Sequence, residues 1–325
     1  MRTHFVLPAV SQDLCDKLAA EGVDAHWDEF INGPHSWCLT AYILLRQRGR
    51  PVTCGPQFQS GCINVAHVSS IEPFSFARNH FIVAVRADYT PRPLANLHLV
   101  QNKSQAGANS YWLPHWPQPG LIPRSPDRVG VKVVAYAGQN YYLAGGTSEW
   151  QRELSKHGLE FRMMPPDRWN DFSGVDVLVA IRSFDGYAYN RKPPTKLINA
   201  WHARVPLVAG NDSAYRQLGT PGKNYLVCNT LTEAVSRIVQ LAREPAEYAY
   251  LVANGSDLAR EYSRDKIAET WEGFLDSVAG PRYQEWVRKG CRSRSKYLGL
   301  NLVSLARAMA RDARHRLVGP IPFQR

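Results

Sequence analysis

The chain has 325 residues, of which 44% are hydrophobic and 21% charged, with a net charge of +11. That balance belongs to folded globular chains, and 22 prolines and 23 glycines at this length exclude collagen-like and mostly disordered classes. No apolar run approaches the roughly 20 residues of a membrane-spanning helix, and the first apolar stretch, cut short by Pro8, Gln12 and Asp13, reads as a strand rather than a secretory leader.

The elements predicted in chain order alternate. Phe5–Val10 is a strand, and Ser36–Gln47 a helix entered through Asn32-Gly33-Pro34-His35. Pro51–Cys54, Ile63–Val68, Phe81–Val85 and Leu97–Val100 are short apolar runs between turn residues, the mark of strands buried on both faces of a parallel sheet. Leu113–Pro126 is dense in proline, which suits neither a helix nor a central strand, and is expected to link two domains. The alternation then restarts. Strands are predicted at Val131–Tyr136, Leu159–Met163, Asp176–Ile181, Pro206–Ala209 and Tyr225–Cys228. Helices are predicted at Thr147–His157 with Thr147 as cap, from Pro194 to Trp201, and at Asn211–Leu218. Three more follow at Thr232–Arg243, Pro245–Glu261 and Arg264–Val278. The predicted architecture is α/β, two Rossmann-like domains facing each other across a cleft. Residues 1–118 form the first, 119–126 a hinge, 127–280 the second and 281–325 a basic tail.

The charge concentrates in that tail. Residues 281–325 carry eleven lysines and arginines against Glu285 and Asp312, leaving residues 1–280 near neutrality. Leu298, Leu302, Leu305, Met309 and Leu317 recur at helical spacings beside Arg307, Arg311 and Arg314, the pattern of an interfacial amphipathic helix. Arg292, Arg294 and Lys296 precede it. Residues 291–318 are therefore expected to meet an anionic membrane surface, and few aromatics interleave the charges as nucleic-acid binding would favour. The alternative is packing on the first domain. The expected location is cytoplasmic, peripheral to the membrane. The six cysteines, at 15, 38, 54, 62, 228 and 291, form no C-x-x-C pair and are expected as small buried hydrophobes in a reducing compartment.

Lys192-Pro-Pro-Thr-Lys196-Leu-Ile-Asn199-Ala-Trp-His-Ala-Arg-Val-Pro206-Leu-Val-Ala-Gly210 resembles the donor-binding helix and strand of GT-B glycosyltransferases, "K-L-x-E-A" followed by "P-V-V-A". Thr232-Glu233-Ala, Pro245, Tyr248, Asn254-Gly255, Tyr262-Ser263 and Trp271 are similar to that family's closing helices, so the resemblance covers about residues 130–278. It implies transfer of a sugar from a nucleotide-sugar donor to a saccharide or lipid-linked saccharide. Many retaining members carry E-x(7)-E; here Arg191 and Asn199 hold those two places. The resemblance makes Asn199 the ribose contact and lines the acceptor side with the loop at His35.

The residues themselves favour an anion site. Arg182 follows a strand at its carboxyl end, where open α/β sheets bind ligands. Arg191, Lys192, Thr195 and Lys196 cluster at a helix start, where amide donors and the dipole favour anions. Lys196 and Arg182 are expected to stabilise the leaving diphosphate, and His35 to act as general base if the outcome is inverting. Gly138 and Gln139 after one strand, and Ser183, Phe184 and Asp185 after another, are candidate donor contacts. Asp88 is a second candidate base, whereas His67, His98 and His115 read as structural. No D-x-D triplet occurs, so neither a catalytic metal nor another cofactor is expected. Convergent carboxylates for an epimerase or hydrolase are not visible; a weakly catalytic nucleotide-sugar-binding module is the other alternative.

Overall fold

The computed structural model describes residues 1–71, 80–289, 298–303, 305–307, 309–310 and 313. Six parallel strands, β1 (Thr3–Val6), β2 (Val52–Gly55), β3 (Ile63–His67), β4 (Phe81–Val85), β5 (Leu97–Val100) and β6 (Ser110–Trp112), form one sheet in the order β2-β1-β3-β4-β5-β6. Every residue of β1, β3, β4 and β5 is buried, as expected for strands covered on both faces. Helices α1 (Gln12–Glu21) and α2 (Thr40–Gln47) belong to this half. β1 ends two residues before Pro8, which has no amide to donate to a ladder. The expected helix from Ser36 opens as a π-helical turn at His35–Leu39 before α2 begins. Nothing in the apolar pattern announced α1, whose Ser11 cap accepts from the Leu14 amide at 3.2 Å.

The second sheet is also parallel, order β11-β10-β9-β7-β8. In chain order it contains β7 (Val133–Ala137), α3 (Gly146–Ser155), β8 (Glu160–Met164), β9 (Val177–Ala180), α4 (Thr195–Ala203), β10 (Leu207–Ala209), α5 (Ser213–Leu218) and β11 (Leu226–Val227). Thr147 does not cap α3; Gly145, in the left-handed region at φ 82°, starts it, and Thr147 donates to Asn140 Oδ1 at 2.7 Å. Helices α6 (Leu231–Arg243) and α7 (Pro245–Glu261) cover the sheet. Gly255 on α7 is required by packing, because a Cβ there would lie 2.7 Å from the Trp201 ring.

The chain then recrosses, which corrects the expected boundary at 280. Helix α8 (Arg264–Phe274), the π-helical turn Leu275–Ala279 and α9 (Gly280–Lys289) return to the first domain. Ile267, Trp271, Phe274 and Leu275 enter its core, where Trp271 stacks on Trp116 at 6.3 Å. Residues 281–289, expected as the start of the basic tail, form most of α9; its Tyr283 and Trp286 pack edge-on against Phe81.

The proline-rich link is anchored at both ends. Leu113 and Trp116 are 1% exposed in the first core, while the amides of Ile122 and Arg124 donate to the Asn170 and Ala203 carbonyls of the second domain. Between them Gly120 turns at φ 62°, and a Cβ there would meet Trp27 at 2.6 Å. Asp24 accepts from the Gly120 amide and from Arg264 at the start of α8. One carboxylate thus ties both crossings together.

Residues 298–303, 305–307 and 309–310 are helical. Asn301 is fully buried and donates to the Pro93 and Ala95 carbonyls at 2.8 and 2.6 Å. Leu298, Leu302 and Met309 are exposed, so the helix is fastened to the first domain by a polar residue while much of its apolar stripe stays outside. Arg292, Arg294, Lys296, Arg311, Arg314 and Leu317 lie outside the described residues. Among the described residues no helix is long and apolar enough to cross a membrane.

Candidate functional site

The carboxyl ends of the two sheets oppose each other, and the strand order fixes which residues meet. β9 and β10 are paired neighbours; just past their ends stand Arg182 and Asp212, joined Nε to Oδ1 at 3.0 Å, the carboxylate 1% exposed. Helix α4 starts after Pro193-Pro194 and carries Lys196 in its first turn, where free backbone amides and the dipole favour anions. Lys192 lies just before it. Each cation stands over a tyrosine ring: Lys196 over Tyr136 at 5.1 Å, Lys192 over Tyr142 at 5.3 Å and Arg182 over Tyr189 at 5.8 Å. These rings hold the cations without neutralising them.

Desolvation alone would weaken the Arg182 charge, yet Asp212 holds it above its ordinary value. Burial, then the Arg182 and Lys192 charges, push Lys196 down to about 7. An ammonium so destabilised gains more from an arriving anion than one in water. Asp212 Oδ2 and the Tyr215 hydroxyl are buried without a hydrogen-bond partner.

The first domain reaches in from β4 and β5. Ala87, at φ 48°, sits in the left-handed region, a conformation that non-glycine residues adopt at a cost of about 1–3 kcal/mol. The next residue, Asp88, forms an ion pair with Lys192. Burial works against the Asp88 charge, but Lys192 keeps it below the usual carboxylate range. From the end of β5, Asn102 donates to Ser213 Oγ at 2.8 Å and to the Lys192 carbonyl at 3.2 Å. An anionic side chain of one domain thus meets a cation of the other in the cleft.

The other expected site residues are placed as follows. Gly138 ends the β7 turn, and a Cβ there would lie 3.0 Å from Tyr136. Gln139 beside it is exposed. Ser183 donates to Asp185, which also accepts the Tyr187 amide at 2.9 Å; the two form a local turn. Phe184 packs against the second-domain core. Thr195 opens α4, and Arg191 lies in the loop before it. Asn199 Oδ1 accepts from the Gln118 amide at 3.0 Å, so its carbonyl holds the interdomain link. His35 Nδ1 donates to the Glu29 carbonyl at 2.6 Å, which leaves Nε2 as the lone-pair nitrogen; its bonded partners lie in its own loop and helix.

Asp212, Asn102, Tyr136 and Tyr142 reach the cluster through partners remote in sequence. His67, expected as structural, is held within its own loop. Nδ1 of that ring accepts from the Ser69 amide at 3.2 Å, which puts the proton on Nε2, and Nε2 is buried without a partner. Gly33 lies against it, a Cβ there falling 3.2 Å from Nε2. Desolvation lowers His67 to about 4, so it is a neutral donor at the carboxyl end of β3.

No protein-family model matches the chain, and no curated protein matches it by sequence. By structure it is similar to Anabaena HepE, solved with UDP and glucose, at TM-score 0.52 and 14% identity, covering 85% of this chain and 99% of that one. Sucrose-phosphate synthase from Thermosynechococcus elongatus gives TM-score 0.52 and 12% identity over 86% and 100% of the two chains. TarM gives TM-score 0.47 and 12% identity over 66% of this chain; the match spans 55% of TarM. Two parallel α/β domains whose strand ends oppose each other across a cleft, with helices recrossing at the end, make this the GT-B fold.

Proposed function

We propose that the chain is a glycosyltransferase that moves a sugar from a nucleotide-sugar donor to a saccharide or lipid-linked saccharide. The observation that carries this reading is the set Arg182, Lys192 and Lys196 at the carboxyl edge of the second sheet, aligned by tyrosine rings and Asp212. Such a set suits a diphosphate. As the bond from sugar to diphosphate breaks, negative charge grows on the phosphate oxygens, and fixed cations in a water-poor cleft stabilise it without reorganising. The reading assigns that work to side chains and requires no metal ion.

Lys196 and Arg182 hold the diphosphate. Lys192 exchanges Asp88 for it, which frees Asp88 beside the acceptor side. His35, with its Nε2 lone pair outward from the Glu29 bond, is the base for an inverting transfer. Gly138, Gln139, Thr195 and Arg191 border the donor. The exposed Leu298, Leu302, Val303 and Met309, with the basic residues of the 291–318 sequence, support peripheral attachment to an anionic membrane, where a lipid-linked acceptor would be presented.

The test is incubation with a panel of nucleotide sugars, following nucleoside diphosphate release with and without saccharide acceptors. Release that depends on an acceptor supports transfer. Tight binding of nucleotide sugars with no release would instead favour a binding module, and no binding of any donor would overturn both.

A further inference from the structure

Cys15 on α1 and Cys54 on β2 face each other with their Sγ atoms 2.8 Å apart. The pair is remote in sequence, 39 residues apart, and lies outside the cation cluster. Its two members differ. Cys15 is fully buried, whereas Cys54 is half-buried on the edge strand of the first sheet. Arg46 donates to the Tyr42 hydroxyl at 3.1 Å, and Gln12 Oε1 accepts from Cys54 Sγ at 3.8 Å. The Cys15 hydrogen bond, with Tyr42 and Arg46 behind it, holds Cys54 below the usual thiol range against desolvation, and Cys15 is correspondingly pushed up. The buried Cys38, Cys62 and Cys228 have no cysteine partner among the described residues.

We propose that Cys15 and Cys54 form a modification site, a dithiol that exchanges with small external disulfides such as oxidised glutathione and closes to an intramolecular disulfide. Cys54, the accessible member, attacks as thiolate. One sulfur–sulfur bond of the glutathione disulfide breaks, a glutathione thiolate leaves and takes up a proton, and Cys54 carries the other half as a mixed disulfide. Cys15 then loses its proton and attacks Cys54 Sγ, releasing the second glutathione. In total two protein thiols are oxidised, and one glutathione disulfide is reduced to two thiols. This sequence follows from access and thiolate character, which decide which sulfur attacks first. The bond formed joins α1 to the sheet edge and shortens the unfolded chain's reach across the intervening segment, so the oxidised form resists unfolding better.

The experiment treats the full chain with oxidised glutathione, denatures it, alkylates the remaining thiols and maps the peptides. The expected result is a linked peptide pair containing Cys15 and Cys54, reversed by dithiothreitol, with Tm raised by about 5 °C. Cys15→Ser should stop at one glutathione on Cys54. Cys54→Ser should take up none at Cys15 and show no Tm change. Full alkylation of both cysteines after treatment, a wild type that stops at the mixed disulfide, or a link from Cys54 to a different cysteine would each overturn the proposal. The wild-type peptide map stands even if a variant folds poorly.

Discussion

Lys196 sits where burial and neighbouring cations push its ammonium down to about 7. A bound diphosphate favours the charged form, so binding near neutrality takes up a proton. Below pH 7 the empty site is already protonated and Lys196 adds no pH dependence. Above pH 7 affinity falls by up to about tenfold per unit until the higher value of the occupied site is reached. Comparing calorimetric affinities of the wild type and Lys196→Ala across that range isolates this contribution, because the ligand's own titration is common to both. A wild type whose profile parallels the variant's would remove Lys196 from the site. Asp88 makes the opposite prediction. Its carboxylate occupies Lys192, so Asp88→Asn should strengthen nucleoside diphosphate binding by about threefold or more; weaker binding would mean that Asp88 shapes the site rather than competing for it.

At the scale of elements, Asp176 shows how the second sheet is assembled. Its carboxylate precedes β9, has no exposed side-chain surface, and accepts from Arg124, Arg128 and the Lys132 and Val133 amides at 2.7 to 2.9 Å. Against desolvation, these bonds pull it down to about 2 from 3.8. Its folded value lies below its unfolded one, so it contributes stability above pH 3.8, about 2 kcal/mol, lost as pH falls through 2. Asp176→Ala should cost about 3–5 kcal/mol at neutral pH by leaving two arginines without their shared partner, readable by urea unfolding; a loss under 1 kcal/mol would contradict the assignment. Every strand but β6 was legible because parallel strands are short apolar runs between turn residues; β6, three residues at the sheet edge, is too short to show that pattern. The destination of α8 and α9 was not. Trp271, Tyr283 and Trp286 mark a face that must be buried, but helical spacing does not say which sheet buries it. The cations Arg182 and Lys196 were legible from their places at a strand end and a helix start. Asp212 and Asn102 meet partners that only the folded chain brings near, and Asn199 turned toward the Gln118 amide for the same reason.

At the scale of the molecule, both domain crossings meet at Asp24, and across the cleft Asp88 and Asn102 hold the second domain. The C-terminal helix is fixed through Asn301 while Leu298, Leu302 and Met309 face outward. That arrangement predicts co-sedimentation with anionic but not neutral vesicles, abolished in a chain ending at Lys289; equal binding by the shortened chain would move the anchor elsewhere. The second domain is proposed to hold a diphosphate on Lys196 and its neighbours. The most direct measurement is calorimetric titration of a panel of nucleoside diphosphates into the wild type and Lys196→Ala at pH 7. The expected result is that one of the panel binds and that the folded variant binds it at least about tenfold more weakly, as for a lost charge-assisted contact. Equal affinity in the two proteins, or no binding by any nucleoside diphosphate, would contradict it.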